Sequence, residues 1–107
     1  HDRIIAYTSQ LAHVLSNAYV KSPTAPEFKG YSAGSFRDLT RVAHLNAKMW
    51  AELFMDNRDN LIREVECLAH SLLEYSDAMK AGDTARLEQL LEDGCRIIDE
   101  IKAEEKK

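Results

Sequence analysis

The stretch Asn46-Ala47-Lys48-Met49-Trp50-Ala51-Glu52-Leu53-Phe54-Met55-Asp56-Asn57, continued to Lys80, decides the fold class of this chain. Trp50, Leu53, Phe54, Asn57, Leu61, Val65, Leu68, Leu72, Tyr75 and Met79 recur at the spacing of one helical face. Asn46 has the side chain of an N-cap, and neither Pro nor Gly interrupts the run before Gly82. The spacing predicts one long central helix of about 34 residues, roughly 50 Å at 1.5 Å per residue. A compact domain of this size is only ~26 Å across, so the helix needs a partner for its overhang. A homodimer packed about a twofold axis is the expectation. Asn57, on the apolar face, should find a hydrogen-bond partner there.

On the C-terminal side, Gly82 is a helix stop and Asp83 caps a last helix. Leu87, Leu90, Leu91, Gly94, Ile97, Ile98 and Ile101 form its stripe, expected to be buried, with Gly94 suggesting close helix contact. The charged tail from Ala103 to Lys107 should fray. On the N-terminal side, Asp2 to about Lys21 reads as a first helix with Ile4, Thr8, Leu11, Leu15, Ala18 and Tyr19 on its buried stripe. A neighbouring face carries Ala6, Ser9, His13, Ser16, Asn17 and Val20, small or polar residues without Lys or Glu. That face either packs against a helix or borders a cavity.

Ser22-Pro23-Thr24-Ala25-Pro26 ends the first helix, because proline lacks the amide donor and disfavours helical angles in its predecessor. A loop with Gly30 and Gly34 follows, where a group could approach the main chain closely. Ser35 reads as an N-cap and Phe36 to about Ala43 as a short helix, with Arg37 and Arg41 one turn apart and Asp38 three residues before Arg41. Read on spacing alone, Asp38 and Arg41 are a solvated charge pair or half of an anion site. With no convincing strand anywhere, the fold class is all-α.

The 107 residues, 45% hydrophobic, suit one domain, residues 1–107. Fourteen basic against 18 acidic side chains give a net charge of −4, and the basic residues are scattered, which argues against a nucleic-acid partner. No run approaches the roughly 18 apolar residues of a membrane span, and no secretory leader pattern is present, so the expected compartment is the cytoplasm. The start at His1-Asp2, without Met, suggests a piece of a larger protein.

The chemistry narrows quickly. Cys67 and Cys95 lack C-x-x-C spacing and read as reduced thiols. Glu66 and His70 are four apart, not the Glu-x-x-His spacing of di-iron bundles, so no metal is expected. Ser9 and His13 have no oxyanion hole to serve a nucleophile. What survives is a binding face: Ser9, Gln10 and His13 on the first helix, and Arg41, whose guanidinium fork matches a carboxylate. A lone histidine at such a place is either a packing residue or a ligand contact.

The run from His1 to His13, with Asp2, Ala6, Ser9 and His13 in the pattern HD-x3-A-x2-S-x3-H, precedes Gly34-Ser35-Phe36-Arg37-Asp38-Leu39-Thr40-Arg41-Val42-Ala43, then Met49-Trp50 and Asn57. In order and spacing the chain resembles the C-terminal helical domain of prephenate dehydrogenases, a fold similar to the C-terminal domain of 6-phosphogluconate dehydrogenase, in which two subunits intertwine as a homodimer. The resemblance implies part of an oxidoreductase of tyrosine biosynthesis that converts prephenate, or arogenate, by oxidative decarboxylation; prephenate yields 4-hydroxyphenylpyruvate. NAD or NADP would be bound by an N-terminal Rossmann domain absent from this chain, which also would carry the proton-accepting histidine, so no catalytic residue is expected here.

By similarity, His13 matches a substrate-site histidine and Arg41 the arginine that anchors a substrate carboxylate, while Ser9, Gly34, Asp38 and Trp50 match neighbouring pocket positions. Two departures stand out: many family members read Ser-His-Leu-Pro-His where this chain has Ser9-Gln10-Leu11-Ala12-His13, and the glycine-rich run is reduced to Ser32-Ala33-Gly34-Ser35. The alternative from a different class is a non-catalytic helical dimerisation module.

Overall fold

The computed structural model describes residues 1–28 and 34–106, and every regular element among them is helical. The first helix is composite: α1 (Asp2–Ile5), a π-helical turn (Ala6–Gln10) and α2 (Leu11–Tyr19), with helical angles kept through both joins. A 3₁₀ turn (Ala25–Phe28) follows the break at Ser22-Pro23. Then come α3 (Gly34–Thr40), α4 (Ala47–Asp56), α5 (Arg58–Lys80) and α6 (Thr84–Glu105). The chain comprises two compact units, His1–Cys67 and Leu68–Lys107, the division falling within α5. Gly30 and the run Tyr31 to Ala33 lie outside the described residues.

The π-helical turn changes which face of the first helix is buried. A π turn holds one residue more than an α turn, so a stripe laid out at 3.6 residues per turn shifts by about one position, ~100°, across it. The expected apolar stripe is only partly the inner one: Leu11 is buried, but Ile4 is 57% exposed and Tyr19 44%. The small and polar face turns inward instead, with Ala6, Gln10 and Ser16 all buried alongside Leu11. Ser16 Oγ is buried without a hydrogen-bond partner among the described residues, a cost on the order of 1–3 kcal/mol.

The central helix is two helices. Asn46 caps α4 as expected, its Oδ1 accepting from the Met49 N–H at 3.0 Å. The run breaks at Asn57, whose φ of −123° and ψ of 27° leave the helical region, and whose N–H turns back to Phe54 O at 3.2 Å. Its own carbonyl then accepts from Leu61 N–H and starts α5. At 23 residues α5 remains the longest element. Two smaller expectations also shift: Ser35 lies inside α3 rather than capping it, and α3 closes at Thr40, so Arg41 falls in the following turn instead of one helical turn beyond Arg37.

In the second unit the end of α5 turns into α6 through Ala81-Gly82-Asp83. Gly82 has φ +65°, its N–H bonds Met79 O at 3.1 Å, and the Asp83 N–H bonds Ala78 O at 2.9 Å. This pair of bonds is the Schellman closure, which needs a left-handed residue at the glycine position. Asp83 Oδ1 accepts from the Arg86 N–H at 3.0 Å and caps α6, and the Arg86 guanidinium meets Glu74 on α5 at 3.0 Å. The α6 stripe that periodicity marks as core is open in a single copy: Leu91, Ile97, Ile98 and Ile101 are exposed, as are Leu72 and Met79 on α5. Gly94 has no atom near enough for its missing Cβ to meet, so it supports no helix contact within the chain. Periodicity establishes that an apolar face exists but not which molecule covers it.

Gly82→Ala should lower unfolding free energy by about 1–2 kcal/mol, the cost of an L-residue in the left-handed region, read from the chemical denaturation midpoint.

Candidate functional site

The site is built where α2 meets α4. His13, half-buried, donates from Nδ1 to the Ser9 carbonyl at 2.9 Å; because a carbonyl only accepts, this bond places a proton on Nδ1 and leaves Nε2 pointing to other partners. The Trp50 indole stacks on the imidazole, with ring centroids 4.1 Å apart and planes 23° from parallel. Phe54, one turn further along α4, closes on Trp50 at 5.7 Å. Hydrogen bond and stack together fix the imidazole plane.

These rings border a groove of about 300 Å³, the low end for small-molecule sites, whose other lining includes Asn17, Lys21, Leu45 and Ala47. The turn after α3 is tied to α2: Asn17 Nδ2 donates to Ala43 O at 3.0 Å. Tyr19 and Phe36, with centroids 6.3 Å apart, add a ring contact between α2 and α3. The short helix and the turn behind it are thereby fastened to the helix that carries His13.

Of the six residues singled out by sequence, the structure brings His13 and Trp50 into one groove, and Ser9 serves His13 through its carbonyl. Gly34 opens α3, exposed, with open space where a Cβ would be. Asp38 and Arg41 are exposed and are not among the groove's lining residues. The Asp38–Arg41 charge pair does not form, and among the described residues Arg41 makes no ion pair, so its guanidinium is uncommitted, two residues before the tethered Ala43. His70 faces Glu74 at 3.9 Å rather than Glu66, and the described residues hold no cluster of three metal-ligating side chains.

The joint that sets this geometry pairs Asn57, expected to need a partner, with Gln10, which is buried and committed to it rather than offered on the binding face. Asn57 Nδ2 donates to Asp2 O at 2.8 Å and to Gln10 Oε1 at 2.9 Å, and Asn60 Nδ2 donates to Asn57 Oδ1 at 2.9 Å. Gln10 Nε2 donates to Leu53 O at 3.3 Å, a carbonyl that the Asn57 N–H no longer uses because it bonds Phe54 instead. The expected partner for Asn57 is present, and it is Gln10, the residue where the resemblance departs from Ser-His-Leu-Pro-His. A buried Gln aligned with an Asn on another helix was the available signal.

The chain matches the family model for the prephenate dehydrogenase dimerization domain over residues 1–93. This helical domain is thus of the prephenate dehydrogenase class. The chain belongs to the prephenate dehydrogenase dimerization-domain family. It is 32% identical over 90 residues to a cyclohexadienyl dehydrogenase of Zymomonas mobilis, covering 78% of this chain and 30% of that protein. It is 28% identical over 102 residues to a prephenate dehydrogenase of Lactococcus lactis, covering 91% and 29%. A crystal structure of Synechocystis arogenate dehydrogenase shares the fold at a TM-score of 0.80 and 18% identity, covering 94% of this chain and 39% of that one. The chain spans about 30% of the length of the curated relatives it matches.

Asn57→Ala should destabilise the protein by about 2 kcal/mol, since it leaves the buried Gln10 Oε1 without its donor. Thermal unfolding, read beside the near-UV signal of Trp50, checks both the loss and its reach into the groove.

Proposed function

We propose that this chain is the dimer-forming and substrate-binding part of an NAD- or NADP-dependent prephenate dehydrogenase that carries out oxidative decarboxylation of prephenate in tyrosine biosynthesis, in the cytoplasm. The observation that carries the reading is the His13–Trp50 pair: an imidazole pinned by Ser9 O and an indole, with Nε2 left for a ligand, in a chain of this family. No described helix is long and apolar enough to cross a membrane.

The division of labour follows from the residues. Arg41 offers a bidentate fork to one substrate carboxylate, unhindered by any protein carboxylate among the described residues. His13 offers Nε2 to the substrate, and Trp50 supplies a flat apolar wall to the ring. Open space at Gly34 and the exposed Asp38 leave the α3 side accessible to another domain or subunit. These contributions are positioning and electrostatics rather than covalent catalysis. The described helices do not fit a dinucleotide: there is no strand leading through a glycine turn into a helix N-terminus, the arrangement that cradles a pyrophosphate. In this reading a separate N-terminal domain binds the cofactor, and the isolated chain is inactive.

Dimerisation has its own support. The family is named for it, and the apolar side chains left open on α5 and α6 are of the kind that a second copy covers. Leu91→Glu, which disturbs no contact buried within the chain, should therefore dissociate the full-length enzyme into monomers in sedimentation velocity; an unchanged dimer removes α6 from the interface.

The reading is tested in the full-length enzyme with prephenate or arogenate and each nicotinamide. Arg41→Ala should mainly raise KM, by a factor of about 30–150, equivalent to the roughly 2–3 kcal/mol of a charge-assisted carboxylate contact. Unchanged KM removes Arg41 from the site. No turnover of either substrate by the wild type leaves only a dimerisation module.

A further inference from the structure

Lys21 is the one residue with a permanent charge among those lining the His13–Trp50 groove. It follows Asn17 by one turn at the end of α2, where its N–H bonds Ala18 O at 3.1 Å. Among the described residues it makes no ion pair, and none of the groove's lining residues is acidic. The groove therefore carries a positive potential that no carboxylate in its lining offsets, against aromatic and aliphatic walls that screen less than water does. The acceptors this lining offers an ammonium group, the Asn17 side-chain oxygen and the second ring nitrogen of His13, are neutral and do not offset the charge of Lys21.

Resting on the substrate-site reading above, the geometry points to Lys21 as a specificity-determining residue that makes the groove favour prephenate over arogenate. The two molecules differ at one group: the side-chain ketone of prephenate is an ammonium in arogenate. Prephenate is consequently a dianion and arogenate carries one net negative charge. A fixed cation discriminates between them by its repulsion of that ammonium, whatever attraction it shares for the carboxylates. At roughly 6 Å and an effective dielectric constant of about 40, one such like-charge interaction changes relative kcat/KM about tenfold. The names of the relatives span both substrates, so the discrimination is a property that can differ between family members.

The test is kcat/KM for prephenate and for arogenate in the full-length enzyme, wild type and Lys21→Arg, Lys21→Gln and Lys21→Glu, each at low and high salt. The prephenate-to-arogenate ratio should be kept in Lys21→Arg, fall about tenfold in Lys21→Gln and fall further in Lys21→Glu, and the differences should shrink with salt as an exposed charge is screened. A purely structural role does not follow the sign of the charge in this way. Lys21 is exposed, so thermal melting of the four proteins should coincide and confirm that folding is not the variable. A ratio that is constant across the series, or a wild type that prefers arogenate, overturns the assignment. If His13→Ala raises KM while the Lys21 series leaves the ratio constant, only Lys21 is wrong; if His13→Ala changes nothing for either substrate, the groove itself is not the substrate site.

Discussion

Asn57 uses both hydrogens of its side-chain amide on the first helix, one on Asp2 O and one on Gln10 Oε1, and the remaining geometry of the first unit depends on that contact. The amide is available because the chain breaks from helix at this residue, and the break in turn releases Leu53 O to Gln10 Nε2. Each half makes the other possible: a continuous helix would reclaim Leu53 O, and without Gln10 the released carbonyl would lack this donor. Trp50 sits seven residues before Asn57, two turns up the same face of α4, and His13 three residues after Gln10. Pinning Asn57 to Gln10 therefore also sets where the indole meets the imidazole.

Much of this was legible from local chemistry, and the part that was not shares a single cause. Caps and stops at Asn46, Gly82 and Asp83 are decided by a residue's own hydrogen-bonding groups or its tolerance of positive φ, and they occur where the sequence places them. A partner for Asn57 could be foreseen because a polar residue on an apolar face must have one. The break at Asn57 could not, since no Pro or Gly marks it and its stabilising bonds come from a residue 47 positions away. The π-helical turn is similarly invisible to a pattern search that assumes one period throughout, and it rotates the stripe by about 100° across the first helix.

The candidate site divides along the same line. Stacking of Trp50 on His13 and the groove beside them required two elements to meet, which spacing alone could not show, and the resemblance to a family is what selected those residues. For Asp38 and Arg41 the local reading of a charge pair gave way to an exposed, unpaired guanidinium, because a helix ending at Thr40 takes Arg41 off the face that i, i+3 spacing presumes. The α6 stripe shows the complementary failure. Its period is right, but period does not establish burial, and the stripe is exposed within this chain.

Four main-chain carbonyls act as anchor points in the first unit: Asp2 O, Ser9 O, Ala43 O and Leu53 O accept from Asn57, His13, Asn17 and Gln10. Side-chain donors to backbone acceptors make an asymmetric dependence. The acceptor persists whatever side chain stands at its position, so Leu53 or Ala43 can vary without loss of the bond, provided the backbone path is kept. The donors to Leu53 O and Ala43 O have no such latitude, because a side-chain N–H at the right reach is needed to satisfy a carbonyl released by the break at Asn57 or placed in a turn. A groove framed in this way has its walls held through backbone bonds, while His13 Nε2 and the Lys21 ammonium make no hydrogen bond or ion pair among the described residues.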